Sequence, residues 1–411
     1  MSLGNNFSNT VYCSFCKRSN VEVQKIIAGF ENSSICNQCV NICQNLLREY
    51  GDKIENHSLD NKFLSRWRGI TPKNIKKTFD SYIIGQEKTK KVLSVAVYSH
   101  YKKIEINLKK SKDKSHLLEK SNILLIGPTG SGKTLFAKTL AKYLDVPFTI
   151  VDATTLTQAG YVGEDVENIL TRLLESAEGN IKKAELGIVY IDEIDKIAKK
   201  VSGLNSGTRD ISGEGVQQSL LKIVEGNKCL VPKKLGKKHT EQDFIQFNTE
   251  NILFICAGSF VGLNSILNDK HKIKGLGFDN KSAYINEGLN DLSVQPEDLI
   301  SFGIIPEFIG RFPVIGSLNT LTERELYKIL TNVKNSILNQ YKTVFLMHKV
   351  NLTFTKKGLD IIIKSCNNIN VGARGLKVFV ERIINILLYN IDRLRGRHIT
   401  LDDKFIIKTI K

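Results

Sequence analysis

The chain has 411 residues, of which 41% are hydrophobic and 25% are charged, and its formal net charge is +17. This length allows two or three domains, and the composition is too apolar for a disordered chain. No apolar run approaches the roughly 18 residues that a membrane span needs, and the first residues lack the pattern of a signal peptide. We therefore expect a cytoplasmic protein with no membrane partner. The lysines are scattered along the whole chain, which favours solvated surfaces over a nucleic-acid footprint.

Four of the eight cysteines form two Cys-x-x-Cys pairs near the start of the chain. Cys13 and Cys16 form the first pair, Cys36 and Cys39 form the second, and the 19 residues of segment 17–35 separate them. This spacing is typical of a four-cysteine zinc site, in which each pair supplies two thiolates to one tetrahedral ion. Reduced structural or redox thiols are the alternative. A module of about 50 residues buries only a small core, so metal binding would supply much of its folding free energy.

The rest of the sequence divides by its pattern. Residues 1–51 would form the zinc-binding domain, and the polar, weakly periodic residues 52–70 would form a linker. Residues 71–318 alternate apolar strands with amphipathic helices, which predicts an α/β domain with a parallel sheet covered on both faces. Residues 319–411 are mainly helical and would form a smaller C-terminal domain. Within it, the sequence predicts a terminal strand at 404–409.

A glycine-rich turn lies between an apolar strand at 122–126 and a helix at 134–144. It matches the P-loop pattern G-x-x-x-x-G-K-[ST] with Gly127, Pro128, Thr129, Gly130, Ser131, Gly132, Lys133 and Thr134. The backbone N–H groups of such a loop bind phosphates, helped by the N-terminal end of the following helix. Lys133 would contact the β- and γ-phosphates, Thr134 would coordinate Mg²⁺, and Leu135 belongs to the same predicted ATP-binding segment.

An apolar strand at 187–191 ends in two acidic residues. Asp192 would hold the Mg²⁺ shell together with Thr134, and Glu193 would polarise the attacking water. The chain contains no Asn-Lys-x-Asp, which disfavours a guanine-specific GTPase. The predicted reaction is therefore ATP hydrolysis, with ATP, Mg²⁺ and Zn²⁺ as the bound groups.

Over nearly its whole length the chain resembles the ClpX family of AAA+ unfoldases. The resemblance rests on the four-cysteine finger and on five short stretches: 82–86, 160–165, 208–218, 306–311 and 372–376. It implies an AAA+ P-loop ATPase with a parallel-sheet large domain and a mainly helical small domain, preceded by a small zinc-binding domain. It also implies a homohexamer that unfolds proteins and threads them through its pore into a ClpP-type peptidase, that remodels proteins without the peptidase, and that receives substrates through adaptors.

The same resemblance gives roles to residues around the nucleotide. Ile83 and Ile84 would line the adenine pocket. Arg311 would be the arginine finger that reaches the nucleotide of the neighbouring subunit, and Arg374 would be the sensor 2 residue. After the apolar strand at 252–256 no polar sensor 1 residue is evident, and the sequence assigns none.

Three further groups would act on proteins. Tyr161 and Val162, in a glycine-flanked loop, would grip the substrate in the pore, and Lys237, Lys238 and His239 would lie at the pore entrance. Lys237 stands where the family usually has arginine, so the charge is kept but the planar fork that binds carboxylates is lost. The tripeptide of Leu276, Gly277 and Phe278 would dock on the peptidase.

Two other classes of function are alternatives to the unfoldase. One is an AAA+ ATPase that remodels nucleic acid or nucleoprotein complexes, which a zinc finger and a basic chain could suggest. The aromatic loop around Tyr161 and the absence of an aromatic-basic RNA-binding signature speak against it. The other is a non-catalytic interaction module, which Lys133 paired with Asp192 and Glu193 makes improbable.

Overall fold

The computed structural model describes residues 11–30, 33–44, 46, 67, 69–108, 120–157, 164–199, 213–232, 244–267, 294–369 and 372–410. The chain forms two compact units, Met1–Arg68 and Gly69–Lys411. The division falls near the end of the predicted linker, most of which lies outside the described residues. The exact domain boundaries stay predictions.

The first unit contains a small antiparallel hairpin and the four cysteines. Strand β1 (Ile26–Ala28) pairs with β2 (Ser34–Cys36), and the register places Ile26 opposite Cys36. Among the described residues of this unit, one small buried cluster contains Cys13, Val23 and Cys36, with the other two cysteines of the predicted set packed against it. So small an apolar core supports little stability by itself.

The second unit is built on a five-stranded sheet in which every pairing is parallel. The strands are β3 (Ile123–Ile126), β4 (Phe148–Asp152), β7 (Ile188–Asp192), β10 (Leu253–Gly258) and β11 (Val314–Ser317). Their order in the sheet is β11-β3-β10-β7-β4. The three inner strands are almost wholly buried, which is why their sequences are continuous apolar runs instead of alternating ones. Outside this sheet, β5 (Leu156–Thr157) pairs with β6 (Glu164–Asp165), and β8 (Lys228–Pro232) pairs with β9 (Phe244–Asn248).

Helices cover the sheet and join its strands. They are α1 (Pro72–Tyr82), α2 (Glu87–Leu108), α3 (Lys133–Leu144), α4 (Asn168–Ser176), α5 (Ile181–Ala184), α6 (Glu214–Val224), α7 (Pro296–Phe302) and α8 (Pro306–Gly310). A 3-10 helix, Ile194–Ile197, directly follows the acidic end of β7. Because parallel strands share one carboxyl edge, the loops after β3, β7 and β10 meet on the same side of the sheet, where ligands bind in such folds.

The C-terminal part has a separate hydrophobic core of its own. Its elements are α9 (Glu323–Thr331), α10 (Ile337–Met347), β12 (Asn351–Phe354), α11 (Lys356–Asn368), α12 (Ala373–Tyr389), α13 (Ile391–Leu394), β13 (His398–Leu401) and α14 (Asp403–Ile410). A capping box opens α9: the Glu325 N–H donates to the Thr322 hydroxyl, and the Thr322 N–H donates to the Glu325 carboxylate. The fold class expected from the sequence is thus the one observed.

The predicted terminal strand at 404–409 is wrong. The last strand is β13, which pairs in parallel with β12, and the residues after it form the helix α14. The Asp402 carboxylate accepts a hydrogen bond of 2.9 Å from the Phe405 N–H, the arrangement of an aspartate at a helix N-cap. The helix buries Ile406 completely in the C-terminal core. The apolar run at 404–409 is compatible with a strand or a helix, and the N-cap at Asp402 is the local feature that indicates a helix.

No helix within the described residues has the length and apolar character needed to cross a bilayer.

Candidate nucleotide site and metal centre

The P-loop connects the end of β3 to the start of α3. Within it, Gly130 and Gly132 adopt φ angles of 76° and 104°, which glycine accepts without the steric cost of a side chain. The ammonium group of Lys133 turns back into the loop and donates hydrogen bonds to the carbonyl oxygens of Gly127 (2.6 Å) and Pro128 (3.0 Å). Both acceptors are neutral, so a phosphate oxygen would be a stronger partner for this cation.

The charges around Lys133 are set by burial and by three carboxylates. Burial lowers the pKa of Lys133, and the negative charges of Asp192, Asp195 and Glu193 oppose this shift. The loop therefore holds one ammonium group close to a cluster of acids. This is the charge set that a nucleotide triphosphate with a divalent cation requires, since the lysine attracts phosphate and the acids attract the metal.

The two predicted magnesium ligands lie next to each other. The Thr134 hydroxyl donates to Asp192 Oδ2 over 3.3 Å and lies 3.2 Å from the hydroxyl of Tyr190. Thr134 is the second residue of α3, and Asp192 is the last residue of β7. A threonine hydroxyl and a carboxylate at this separation fit Mg²⁺, which is held in such sites by one or two protein oxygens together with phosphates.

Glu193 stands in an unusual backbone conformation. It is exposed, its φ angle is 55°, and its N–H donates to Asp192 Oδ1 over 3.0 Å. The left-handed region is costly for a residue with a side chain, and such strain concentrates at functional sites. The buried strand ends here, so the turn at Glu193 releases its carboxylate into the open edge where Lys133 and Thr134 lie.

Sequence reasoning missed two residues beside the acids. The buried carboxylate of Asp195 accepts hydrogen bonds from the Ser259 N–H (3.2 Å), the Ser259 hydroxyl (2.9 Å) and the Phe260 N–H (3.2 Å). Ser259 directly follows β10, where no sensor 1 residue was assigned. A serine after a buried strand was the available signal, but its partner lies 64 residues away in the sequence.

A cavity of about 740 Å³ adjoins the P-loop and extends to the C-terminal core. Residues of the large domain line one side: Ile83, Ile84, Gly130, Ser131, Gly132 and Leu135. Apolar residues of the C-terminal part line the other: Leu321, Ile329, Val333, Ile337 and Ala373. The volume suits a small organic ligand. An apolar cleft beside a phosphate loop fits the adenine of ATP, and both predicted adenine contacts, Ile83 and Ile84, lie in its wall.

The segment that carries these isoleucines is clasped to the connection between β11 and α9. The Gln86 amide donates to the Asn319 carbonyl (2.8 Å) and accepts from the Asn319 N–H (2.9 Å). Gly85 has a φ angle of 69°, and a Cβ placed there would lie 2.1 Å from Glu325 Oε1. The wall of the cavity and the start of the C-terminal part are therefore held as one piece.

Arg374 lies in the first turn of α12, which begins against the P-loop. The Ala373 N–H donates to the Gly130 carbonyl over 3.2 Å. At Gly372, with φ of 59°, a Cβ would approach the Thr129 carbonyl oxygen to 3.0 Å. Arg374 itself is exposed. The helix thus places its N-terminal end, which favours anions, against the P-loop. Arg374 belongs to this first turn but is not among the residues that line the cavity.

Arg311 lies outside this cavity. It follows α8, and its guanidinium donates two hydrogen bonds to Glu225 Oε1, of 2.8 Å and 3.2 Å. More than half of the Arg311 side chain is exposed. Within its own chain Arg311 thus meets a surface carboxylate and not the P-loop, so the structure separates it from the other predicted ATP-contacting residues.

The four paired cysteines of the first unit come together. The sulfur atoms of Cys13, Cys16, Cys36 and Cys39 all lie within 4.8 Å of one another. The Cys36 N–H donates to Cys13 Sγ (3.2 Å), and the Cys39 N–H donates to Cys36 Sγ (3.4 Å). Such N–H donors stabilise the thiolates that bind a metal.

Without a bound cation, the four clustered thiols do not all lose their protons. Burial raises the pKa of Cys13, but hydrogen bonds from the backbone of Cys16, Cys36 and Phe15 outweigh it and lower the pKa to about 6. Burial and the three neighbouring thiols raise the pKa of Cys39 to about 12. The negative charge of one thiolate therefore disfavours deprotonation of the next thiol. A bound divalent cation that prefers sulfur ligands offsets this repulsion. The donor set fits Zn²⁺.

The predicted protein-contacting residues lie outside the described residues. These are Tyr161 and Val162, the basic group of Lys237, Lys238 and His239, and the tripeptide of Leu276, Gly277 and Phe278. Their roles stay predictions from the sequence.

Three family models match successive parts of the chain. The ClpX C4-type zinc finger matches residues 11–49, the AAA domain (Cdc48 subfamily) matches residues 118–315, and the C-terminal, D2-small domain of ClpB protein matches residues 321–391. The first match contains the cysteine cluster, the second contains the P-loop with its acids, and the third begins at the far wall of the cavity.

Two curated relatives align along most of the chain. The ATP-dependent Clp protease ATP-binding subunit ClpX of Borrelia duttonii is 50% identical over 382 residues, which are 92% of this chain and 86% of that protein. The protein of the same name from Treponema denticola is 45% identical over 397 residues, 96% of this chain and 93% of that protein. The chain belongs to the ClpX family. It is an ATPase and an ATP-dependent protein unfoldase, and its cofactors are ATP, Mg²⁺ and Zn²⁺.

The zinc centre of this ClpX-family chain can be tested with two cysteines of the same module. We expect one zinc per chain in the reduced wild type, loss of that zinc in Cys39→Ser, and full retention in Cys43→Ser, because Cys43 is not one of the four clustered thiols. Metal analysis of purified protein measures this directly. Removing the zinc should unfold the first unit and leave ATP hydrolysis intact. Equal zinc content in both variants would contradict the assignment.

Proposed function

We propose that this chain assembles into a homohexamer that hydrolyses ATP to unfold proteins and threads them into a ClpP-type peptidase. The observation that supports it best is the cavity built from both parts of the second unit. Its walls are the adenine segment at 83–84, the P-loop, and the start of α12. A ligand held between two domains changes their relative position when it is bound or hydrolysed, and this motion is what a motor needs.

Within one subunit, the phosphate end of the site uses residues that already lie together. Lys133 would exchange its two carbonyl acceptors for the β- and γ-phosphates, and Arg374 would add a second cation from the C-terminal part. Thr134 and Asp192 would hold Mg²⁺, which when bound supplies positive charge against the charge that develops on the phosphates. Glu193, released into the open edge by its turn, would orient and deprotonate the attacking water.

Arg311 would complete the site of the neighbouring subunit. An arginine supplied in trans stabilises the charge of the transferring phosphoryl group and makes hydrolysis depend on assembly. Its pairing with Glu225 does not prevent this, because an ion pair between exposed groups contributes only about 0–1 kcal/mol. The Arg311 guanidinium would therefore leave Glu225 at a small cost in free energy when the more strongly charged phosphoryl group of the neighbouring site is available.

The remaining roles rest on the family to which the chain belongs. Tyr161 and Val162 would pull on substrate in the pore, with Lys237, Lys238 and His239 at its entrance. Leu276, Gly277 and Phe278 would dock on the peptidase, where several copies on a ring add avidity to weak single contacts. The zinc module would receive adaptors and substrates. None of the eight cysteines forms a disulfide, which suits a reducing compartment such as the cytoplasm.

The hydrolytic role is tested at Glu193. We expect Glu193→Gln to bind ATP and assemble but to hydrolyse ATP at least about 10²-fold more slowly, because the magnesium ligands remain while the general base is lost. Turnover and nucleotide affinity are measured on the full chain. The matched control is Glu178→Gln, since Glu178 is also exposed with a left-handed φ of 58° but belongs to the turn after α4 and not to the acidic end of β7. Wild-type turnover in Glu193→Gln would contradict the assignment.

The pulling role is tested at Tyr161. We expect Tyr161→Ala to hydrolyse ATP at a rate close to the wild type but to unfold a stable tagged protein several-fold more slowly, while Tyr161→Phe keeps both activities. The measurement compares ATP turnover with loss of native fluorescence. Adding either unfolded protein or DNA to the wild type separates the two classes of motor. Stimulation of the ATPase by DNA alone would favour the nucleic-acid alternative and oppose the unfoldase.

The docking role is tested at Phe278. We expect Phe278→Ala to lose degradation of a folded reporter by a ClpP-type peptidase while keeping ATP hydrolysis and unfolding without the peptidase, because one apolar anchor per subunit is removed. Lys274→Ala, a change in the same segment that removes no apolar anchor, should degrade the reporter normally. Normal degradation by Phe278→Ala would refute the docking role.

A further inference from the structure

Helix α6 carries a buried polar residue, Gln217, that the ATPase site does not explain. The side chain has no exposed surface and lies on the inner face of the helix beside Val216 and Leu220, which are also fully buried. Burying an amide costs free energy unless its donors and acceptor are satisfied. The hydrogen bonds that Gln217 makes therefore show which parts of the fold it holds.

Gln217 bridges two backbone segments that are far apart in the sequence. Its Nε2 donates to the carbonyl oxygens of Ile197 (2.7 Å) and Gly303 (3.4 Å). Its Oε1 accepts from the Ile305 N–H over 2.8 Å. A leucine at this position would leave these buried backbone groups without the partner they have now, so packing alone does not account for the amide.

Each bridged segment leads to a residue of the hydrolytic reaction. Ile197 ends the 3-10 helix that begins directly after Glu193. Ile305 is the N-cap of α8, and the residue that follows α8 is Arg311. One of the two segments that Gln217 bridges thus leads to Glu193 of this subunit's own site. The other leads to Arg311, the arginine proposed to act on the next subunit.

Two further contacts make the bridge stiff. The Lys199 N–H donates to the Gly303 carbonyl over 2.8 Å. Gly303 has a φ angle of 114°, and a Cβ there would lie 2.5 Å from the Lys199 carbonyl oxygen, so the two segments touch backbone to backbone. At the other end of α6, Glu225 holds the Arg311 guanidinium. The segment 303–311 is therefore contacted by residues near the start of α6 and by the residue at the end of α6.

We infer that Gln217 is a positioning residue that couples the acidic end of β7 to the arginine finger. Through it, a displacement of the turn at Glu193 is passed to the start of α8 and so to Arg311. Hydrolysis in one subunit would in this way change the finger presented to its neighbour. The inference rests on the proposed role of Arg311, and it assigns to Gln217 no contact with nucleotide.

The test uses two adjacent glutamines of α6. Gln217→Glu keeps an acceptor for the Ile305 N–H but turns an oxygen towards the Ile197 and Gly303 carbonyls. Gln218→Glu makes the same chemical change on the exposed face of the helix, where the Gln218 amide reaches Glu214 over 3.4 Å. Gln217→Met removes the hydrogen bonds without burying a charge, and it serves if Gln217→Glu does not fold.

For the full-length Gln217 variant we expect kcat for ATP hydrolysis to fall about tenfold, a change of about 1.4 kcal/mol. The KM for ATP and the affinity for a fluorescent nucleotide should stay within about twofold, since no nucleotide contact is lost. Gln218→Glu should match the wild type. A rise in KM with unchanged kcat, or equal turnover in the Gln217 and Gln218 variants, would overturn the inference.

A double-mutant cycle shows whether Gln217 acts through the finger. We expect Arg311→Lys alone to lower kcat, and the double variant with the Gln217 change to be no more than about twofold slower than Arg311→Lys, because both act on one interaction. If the fold-losses in kcat of the two single variants multiply in the double variant, the coupling through Gln217 is overturned, while the role of Arg311 as the finger is not affected. Wild-type turnover in Arg311→Lys would instead remove the finger role itself, and the inference with it.

Discussion

The parallel pairing of β3 and β7 with the same strand, β10, is the constraint on which the site depends. Because all three run in the same direction, their carboxyl ends reach one edge of the sheet. The phosphate loop follows the first strand, the acids end the second, and Ser259 follows the third. The contacts between Thr134 and Asp192 and between Asp195 and Ser259 follow from this arrangement, and the strands themselves only need to be apolar and short.

The sequence predicted those parts of the molecule whose chemistry is local. The P-loop, the acids after a buried strand and the two cysteine pairs each lie within a few consecutive residues, so their spacing is readable without a fold. Gln217 and Gln86 were not assigned a function, because their partners are backbone groups up to 233 residues away. A glutamine in a helical pattern looks like any other polar residue until the segments beside it are known.

The two contacts of α6 with the segment 303–311, which carries the proposed arginine finger, differ in kind. Gln217 is buried and holds backbone groups, where a lost hydrogen bond carries the full penalty of an unsatisfied polar group. Glu225 holds Arg311 at the surface, where solvent screens the pair and its contribution is small. The segment 303–311 is thus held firmly where Gln217 contacts it and weakly at Arg311. The proposed finger would therefore exchange Glu225 for another partner while the start of its segment keeps its place beside the sheet.

The clasp between Gln86 and Asn319 has a consequence for the departure of spent nucleotide. The segment that carries Ile83 and Ile84 is hydrogen-bonded to the connection that leads into the C-terminal part, whose apolar residues form the opposite side of the cavity. The cleft cannot widen unless that part swings away. In the proposed hexamer, adjacent copies would restrain this swing and ADP would stay bound for as long as the neighbours do not move. The lifetime of the product would then be set by the assembly and not by the single chain.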